Sequence, residues 1–562
     1  MSNHQVSAVI VQSLVNAGVK KVFGVPGAKI DSIFNTLLDF PQIQLVVCRH
    51  EQNAAMMAAA YGRITGRPGV CIATSGPGAS NLATGLLTAT TEGDPVVALI
   101  GSVPRSMSNH RTHQTFKSLD VLGPTCKSTL SIDVEDQAAE IILGAFRQAG
   151  SLPSGAVTIS LPSDVASGMT RFPAFEPSCF QIPLYGCAQE NQLVKVIDIV
   201  KQSKLFVLCL GMRASNLKVT AAVRHLLQKW PMPTVETFQA AGSLSKDLEH
   251  LFYGRVGLFH NQCGDKLLSS ADLIIMVGYD PVEYDANVWN PDGKAKIVHI
   301  DYQAAEFGNY YQPQVELLGS IAASVDQLGN ELAQLGQSKM EIHTSQTLCT
   351  LQAEYNAWHD DVKSQRFQGL VHPLTFVREL QKRVMEETVI TCDVGTSYIY
   401  MMRYMKAYRP RHLLCSNGQQ TLGVSLPWAI SASLCQNPPC SKKVVAIAGD
   451  GGFMFSCQEL STAVLQGCNI TIFIWNDQHY NMVEFQEEVR YGRSSGVRLG
   501  GVNFEILAGA FGAKGFHVKD AKDLIEVMEK ALAHVGVSIV EVSIDYKDAP
   551  SLAKDLVKDA LV

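Results

Sequence analysis

A chain of 562 residues, 46% hydrophobic and 17% charged, is too long for a single core and too apolar for disorder, so about three or four folded domains are expected. Lys and Arg number 46 against 52 Asp and Glu, and neither sign gathers into a basic arm or an acidic tail, so no nucleic-acid partner is expected. The 14 cysteines stand singly, many in apolar runs such as those around Cys71, Cys209 and Cys392, without CxxC or zinc spacing, which predicts small core side chains in a reducing cytosol rather than a disulfide framework.

The first residues, Met1-Ser2-Asn3-His4-Gln5, lack the basic flank, apolar core and cleavage site of a signal peptide. No window reaches the roughly 18 uninterrupted apolar residues of a membrane-crossing helix. A cytoplasmic protein with no membrane segment is therefore expected. Short β-branched runs alternating with helical stretches predict an α/β fold of three parallel-sheet domains. Runs at 21–25, 45–48, 69–75, 95–101 and 156–161 make the first, placed at 1–170. A Pro-rich, weakly periodic segment from Arg171 to about Asn191 reads as a linker. Runs at 205–210, 234–236, 273–277 and 297–300 make a second domain at 190–330, and polar residues at 336–339 and 343–346 mark a further connection. Runs at 388–392, 412–415, 444–448, 470–475 and 538–542 make the third, at 365–548. Open α/β sheets bind ligands at the carboxyl edge of their strands, so the residues that follow each run are the candidates for chemistry.

The sharpest of these is Gly449-Asp450-Gly451-Gly452-Phe453, between an apolar strand and a helix that Ser456 and Glu459 are expected to open as a capping box. The glycines let a phosphate approach the backbone, but a carboxylate in the same loop would repel it unless a cation lies between them, and hard oxygen ligands point to Mg²⁺. One β-α-β unit later the run at 470–475 delivers Asn476-Asp477-Gln478-His479. Asp450 and Asp477 are the expected metal ligands, with the carbonyl of His479 as a neutral third. Gly-Asp-Gly by itself is also an ordinary strand-to-helix turn, and it is the second acid at this spacing that favours a site. The loop has neither GxGxxG nor GxxxxGK[ST] spacing, which argues against a nicotinamide or P-loop site.

These motifs resemble those of the thiamine-diphosphate enzymes, and the likeness runs over nearly the whole chain. Val25-Pro26-Gly27-Ala28-Lys29-Ile30-Asp31, Arg49-His50-Glu51, Thr74-Ser75-Gly76-Pro77-Gly78, Glu92-Gly93-Asp94-Pro95-Val96 and Ser416-Asn417-Gly418-Gln419-Gln420-Thr421 are most similar to acetolactate synthases. The resemblance implies thiamine diphosphate and Mg²⁺ as cofactors and pyruvate as substrate. It also implies a homodimer, forming a tetramer, in which Glu51 of one subunit meets the Gly-Asp-Gly loop of the other. Glu51 would exchange a proton with the aminopyrimidine ring of the cofactor. Leu422 would be the apolar prop that bends the cofactor, where Met is common in the family. Gly395, Thr396, Ser397, Gln419, Gln420, Gly449, Gly451, Gly452 and Tyr480 would line the cofactor, Gln114 would be the active-site glutamine, and Lys29 would offset the substrate carboxylate.

Two departures select a branch. The flavin-dependent members carry RFDDR where this chain reads Tyr279-Asp280-Pro281-Val282-Glu283, so FAD is predicted to be absent. Where they place a Trp that favours 2-ketobutyrate, the aligned residue is Gln486, which predicts pyruvate as acceptor. Both departures resemble the catabolic acetolactate synthases, which feed acetoin formation. The alternatives are a flavin-dependent biosynthetic synthase, a simple 2-oxoacid decarboxylase and, from another class, a dinucleotide-binding oxidoreductase.

Overall fold

The computed structural model describes residues 3–336, 345–360 and 368–547. The expected connection at 336–339 and 343–346 lies mostly outside them, as do positions 1–2, 365–367 and 548 at the edges of the expected domains. Three six-stranded, wholly parallel sheets carry the fold. Their central strands are continuous apolar runs buried along their length, Val96–Ser102, Leu273–Val277 and Ile470–Asn476 among them, as parallel strands must be when helices cover both faces.

Across the first sheet the strands run Gln44–Val47, Lys21–Gly24, Gly69–Ala73, Val96–Ser102, Ala156–Pro162 and Ser128–Ser131. Across the third they run Leu413–Leu414, Ile390–Cys392, Val444–Gly449, Ile470–Asn476, Val537–Ser543 and Lys514–Val518. Counted along the chain, both have the order 2-1-3-4-6-5. The middle sheet runs Phe252–Val256, Thr234–Thr237, Phe206–Leu210, Leu273–Val277, Lys296–Asp301 and Val315–Leu318, the order 3-2-1-4-5-6 of doubly wound dinucleotide-binding sheets. Four strands of these three sheets were not anticipated from the sequence: Ser128–Ser131, Phe252–Val256, Val315–Leu318 and Lys514–Val518. All four lie at sheet edges, where one flank is unpaired and polar residues are tolerated. A short antiparallel pair, His4–Gln5 with Met169–Thr170, closes the first domain on itself.

The first and third domains share a core. Helix Glu51–Thr65 of the first packs on helix Ser425–Leu434 of the third, and one buried cluster runs from Ala54 through Trp428 to Ile472. The middle domain has a core of its own and lends Phe238, Ala241 and Phe259 to a cluster with the third. None of the 14 cysteines is joined in a disulfide, and Cys71, Cys209 and Cys392 are fully buried core side chains. Among the described residues no helix is long and apolar enough to cross a membrane.

Candidate active site

Strand Val444–Gly449 passes directly into the short helix Asp450–Phe453. Its pairing with Ile470–Asn476, Gly449 opposite Trp475, brings Asp477 level with Asp450 at the carboxyl edge. Asp450 is buried, its Oδ1 accepting from the Gly451 N–H at 2.9 Å and its Oδ2 from the Gln478 N–H at 2.9 Å. Asp477 Oδ1 accepts from the His479 N–H at 3.3 Å, and Gln478 between them takes a left-handed φ of 64°. Asn476 donates to Glu541 Oε1 at 2.8 Å, and its Oδ1 accepts from the same Gln478 N–H at 3.1 Å. Burial pushes the Asp450 carboxyl up to about 6; burial and then the neighbouring Asp450 charge push Asp477 up to about 7. Gly451 lies so close to Tyr480 that a Cβ would stand 2.5 Å from the ring.

Two acids that repel one another and keep free lone pairs suit a hard divalent cation. Among the described residues no three His, Cys, Asp or Glu side chains cluster for a metal, so an ion here would need further oxygens from the backbone or from a bound ligand. The surroundings also fit a diphosphate. Helix Thr396–Tyr404 starts at Gly395, which has φ 134°, and a Cβ added at Gly395 or at Gly449 would meet nothing within 4 Å. Just inside that helix the Ser397 hydroxyl is buried without a hydrogen-bond partner, an orphan donor at a helix N-terminus. Thr396 is committed to Asn481 Oδ1 at 2.9 Å.

Asp393, which sequence reasoning passed over, ties these loops together. It follows strand Ile390–Cys392 and is 1% exposed. Its carboxylate accepts from the N–H groups of Val394 at 3.0 Å, Gly423 at 2.9 Å and Ser425 at 3.1 Å. Burial pushes it up to about 6, and a Cβ on Gly452 would collide with it at 2.7 Å. The turn it grips presents Leu422, half-buried, whose Cδ2 lies 3.6 Å from the place of a Gly452 Cβ. Of the two glutamines in this turn, Gln419 is exposed and donates to Thr91 Oγ1 at 3.0 Å, and Gln420 is exposed with φ 49°. Gln486 is half-buried on helix Asn481–Tyr491.

In the first domain four separate motifs meet in one patch. Glu51 opens helix Glu51–Thr65 and is half-buried, with Oε2 accepting from Asn81 Nδ2 at 2.9 Å. A Cβ on Gly78 would stand 3.3 Å from Glu51 Oε1 and 2.9 Å from Thr74 Cγ2. Thr74 in turn presses on Gly27 and accepts from the Lys29 N–H at 3.4 Å. Gln114 has a left-handed φ of 62°, receives the Ser75 hydroxyl at 3.1 Å and lies over Gly76. A glutamine in this region is uncommon enough to suggest a demand on its position. Asn81 carried no sequence signal; only the fold brings it to Glu51.

The capping box expected at Ser456 and Glu459 does not form. Ser456 makes no cap, and its hydroxyl is buried without a partner. Glu459 is fully buried and accepts instead from the Arg49 N–H at 2.9 Å, the His50 N–H at 3.1 Å and Asn53 Nδ2 at 3.1 Å, so it anchors the entry to the Glu51 helix from another domain, while His50 Nδ1 caps that helix by accepting from the Gln52 N–H at 3.2 Å. A tertiary partner with three donors outcompetes a local one.

In the middle domain the segment after Leu273–Val277 is occupied internally. Arg213 reaches Asp280 at 2.6 Å, Asp301 at 2.9 Å and the Tyr279 carbonyl, with its guanidinium 5.4 Å over the Tyr302 ring. Glu283 is buried, accepting from the Met212 N–H at 2.7 Å, Thr237 Oγ1 at 2.9 Å and the Gln239 N–H at 3.1 Å. A cavity of about 190 Å³ beside them is lined by Arg213, Asp280, Asp285, His299, Glu306 and Tyr311 among others.

Three family models match this chain in succession: thiamine pyrophosphate enzyme N-terminal TPP binding domain at residues 4–122, central domain at 193–328 and C-terminal TPP binding domain at 393–542. Acetolactate synthase of Bacillus subtilis (strain 168) is 42% identical over 547 residues, covering 97% of this chain and 94% of that one. The catabolic acetolactate synthase of Raoultella terrigena is 41% identical over 548 residues, 98% and 96% of the two chains. The acetolactate synthase isozyme 1 large subunit of Escherichia coli (strain K12) is 29% identical over 547 residues, 96% and 94%. With its three domains matched in order and relatives this similar along almost its full length, the chain belongs to the thiamine pyrophosphate enzyme family, among the acetolactate synthases.

Proposed function

We propose that this enzyme condenses two molecules of pyruvate to 2-acetolactate and CO₂, as a catabolic acetolactate synthase that works without FAD. The observation that carries the branch is the higher identity to the catabolic relative, 41% against 29% for the isozyme 1 large subunit. The middle domain supports it: the Arg213 guanidinium is held by two carboxylates, and Asp280, Asp285 and Glu306 face the adjoining cavity, a poor environment for a dinucleotide's phosphates.

Thiamine diphosphate, when bound, supplies a thiazolium carbon that adds to a 2-oxoacid carbonyl and takes up the electrons left by departing CO₂. The protein's part is to place and protect it. Asp450, Asp477 and the His479 carbonyl would hold Mg²⁺, and Gly395, Thr396, Ser397, Gly449, Gly451, Gly452 and Tyr480 would line the diphosphate, with Gln419 and Gln420 on the bordering turn. Glu51, oriented by the Asn81 amide, moves a proton to and from the aminopyrimidine nitrogen. Leu422 would be the apolar prop against the cofactor. Lys29 offsets a pyruvate carboxylate and Gln114 donates to the substrate. Gln486 offers no apolar contact for an extra methylene, an omission worth about 1–3 kcal/mol of selectivity.

The working unit in this reading is a cytoplasmic homodimer, paired into a tetramer, with pyrimidine-binding, central and diphosphate-binding domains at 1–170, 190–330 and 365–548. Flavin-free protein incubated with pyruvate, thiamine diphosphate and Mg²⁺ tests it. Acetolactate is the expected product. Acetaldehyde alone would make the enzyme a decarboxylase, and turnover only after FAD addition would move it to the biosynthetic branch.

A further inference from the structure

The turn that carries Leu422 belongs to the third domain but is held from the first. Glu92, at the end of helix Ala83–Thr91, is 4% exposed. Its Oε1 accepts from the Ser416 hydroxyl at 2.8 Å and from the Gly418 N–H at 3.1 Å. The same Ser416 oxygen accepts from the Thr421 N–H at 3.3 Å, so the contact is relayed to the residue just before Leu422. The flank of the helix adds two bonds, Thr88 Oγ1 to Thr421 Oγ1 at 2.8 Å and Gln419 to Thr91. Gly418 lies so close that a Cβ would stand 2.6 Å from Thr91 Cγ2.

The other oxygen of Glu92 faces two further elements. Arg63, on the helix that Glu51 opens, approaches it at 3.4 Å, while gripping Asp94 at 2.8 Å and donating to the Cys415 carbonyl at 2.8 Å. Gln239 of the middle domain donates to it as well. One buried carboxylate thus joins the three domains, and two of its four contacts end on the Leu422 turn. Gly423, on the far side of Leu422, is fixed by Asp393 from within the third domain. Leu422 therefore stands between two carboxylate anchors, one from each of the domains that share the chemistry.

We propose that Glu92 is a positioning residue for the carboligation: through Ser416 and Gly418 it sets the height of Leu422 and so the bend of the bound cofactor. This rests on Leu422 being the prop. Removing a buried acceptor while leaving its donors unpaired is costly, whereas the amide oxygen of a glutamine still accepts from Ser416 and Gly418, its N–H₂ is met once the Gln239 amide turns its oxygen inward, and Asp94 keeps Arg63 paired.

A double-mutant cycle on the holoenzyme tests it, with kcat, the pyruvate KM and the thiamine diphosphate dissociation constant as readouts. Glu92→Ala is expected to lower kcat and weaken cofactor binding, each about 10-fold, with little change in KM. Glu92→Gln should recover most of both. In a Leu422→Ala background, adding Glu92→Ala should change kcat by less than about twofold, since the residue through which it acts is gone. Independent, multiplying effects would overturn the proposal, as would a Glu92→Ala enzyme that melts at lower temperature yet keeps its kcat and cofactor affinity. Wild-type kcat in Leu422→Ala alone would remove the prop reading, and the proposal with it, whatever Glu92→Ala does.

Discussion

The first and third domains repeat one strand order and bring acids to the same carboxyl edge, yet they prepare those acids differently. Glu51 stands alone, half-buried, with a single amide donor on one oxygen. Asp450 and Asp477 stand together, burial pushing Asp450 up to about 6 and burial, then the Asp450 charge, pushing Asp477 up to about 7. The middle domain brings a fourth acid to its own edge, Glu283, and occupies it with three donors. A carboxylate has about four lone-pair sites, and grouping together with occupancy separates the three cases: a lone acid with one donor, a pair of sparsely bonded acids that suits a cation, and an acid engaged by three donors of the architecture. The repeated fold specifies where an acid is presented; the neighbours decide what it can do.

The contrast is tested most severely at Glu51. Glu51→Gln keeps the shape and the Asn81 contact but cannot carry a proton, so kcat should fall about 10²- to 10⁴-fold while the cofactor survives desalting. Unchanged turnover would remove Glu51 from the chemistry. Asp450→Ala should do the reverse, acting first on retention. Loss of a mere outer partner of a metal ligand costs about 10- to 100-fold in affinity, and a direct ligand should cost at least that in a thiamine diphosphate titration with Mg²⁺. Equal retention by both variants would erase the distinction between the two acid sites.

Much of this division was legible in the sequence, for reasons that also mark where legibility ended. The central strands are continuous apolar runs because helices cover both their faces, and they were readable to within a residue or two. The edge strands Ser128–Ser131 and Lys514–Val518, STLS and KGFHV, are half-polar and look like loops. Asp450 and Asp477 declare themselves through glycine spacing and one β-α-β unit of separation. Asn81, Asp393 and Glu459 do not, since each matters through a partner 30 or more residues away. Ser456 and Glu459 mislead, because a capping box is a local pattern and Glu459 is engaged across a domain boundary.

The smallest expected effect concerns Glu283, where the claim that the middle domain's acid is architectural becomes a statement about pH. Burial pushes its carboxyl up to about 8, against three donors that favour the charge and with Asp280 adding to the push. The unfolded chain releases this proton near 4.5, so between about 4.5 and 8 the folded state binds more protons than the unfolded one. Its contribution to stability is complete below that window and is lost as pH rises through it, at no more than about 1.4 kcal/mol per pH unit. Glu283→Gln cannot titrate and sets an amide N–H₂ against one of the existing donors, at a cost of about 1–3 kcal/mol. Urea unfolding across the window should therefore show the variant well below the native enzyme at pH 5 and approaching it at pH 8. Curves that stay parallel would mean that Glu283 is ionised throughout, and that the middle domain holds a charge at its edge much as the outer two do.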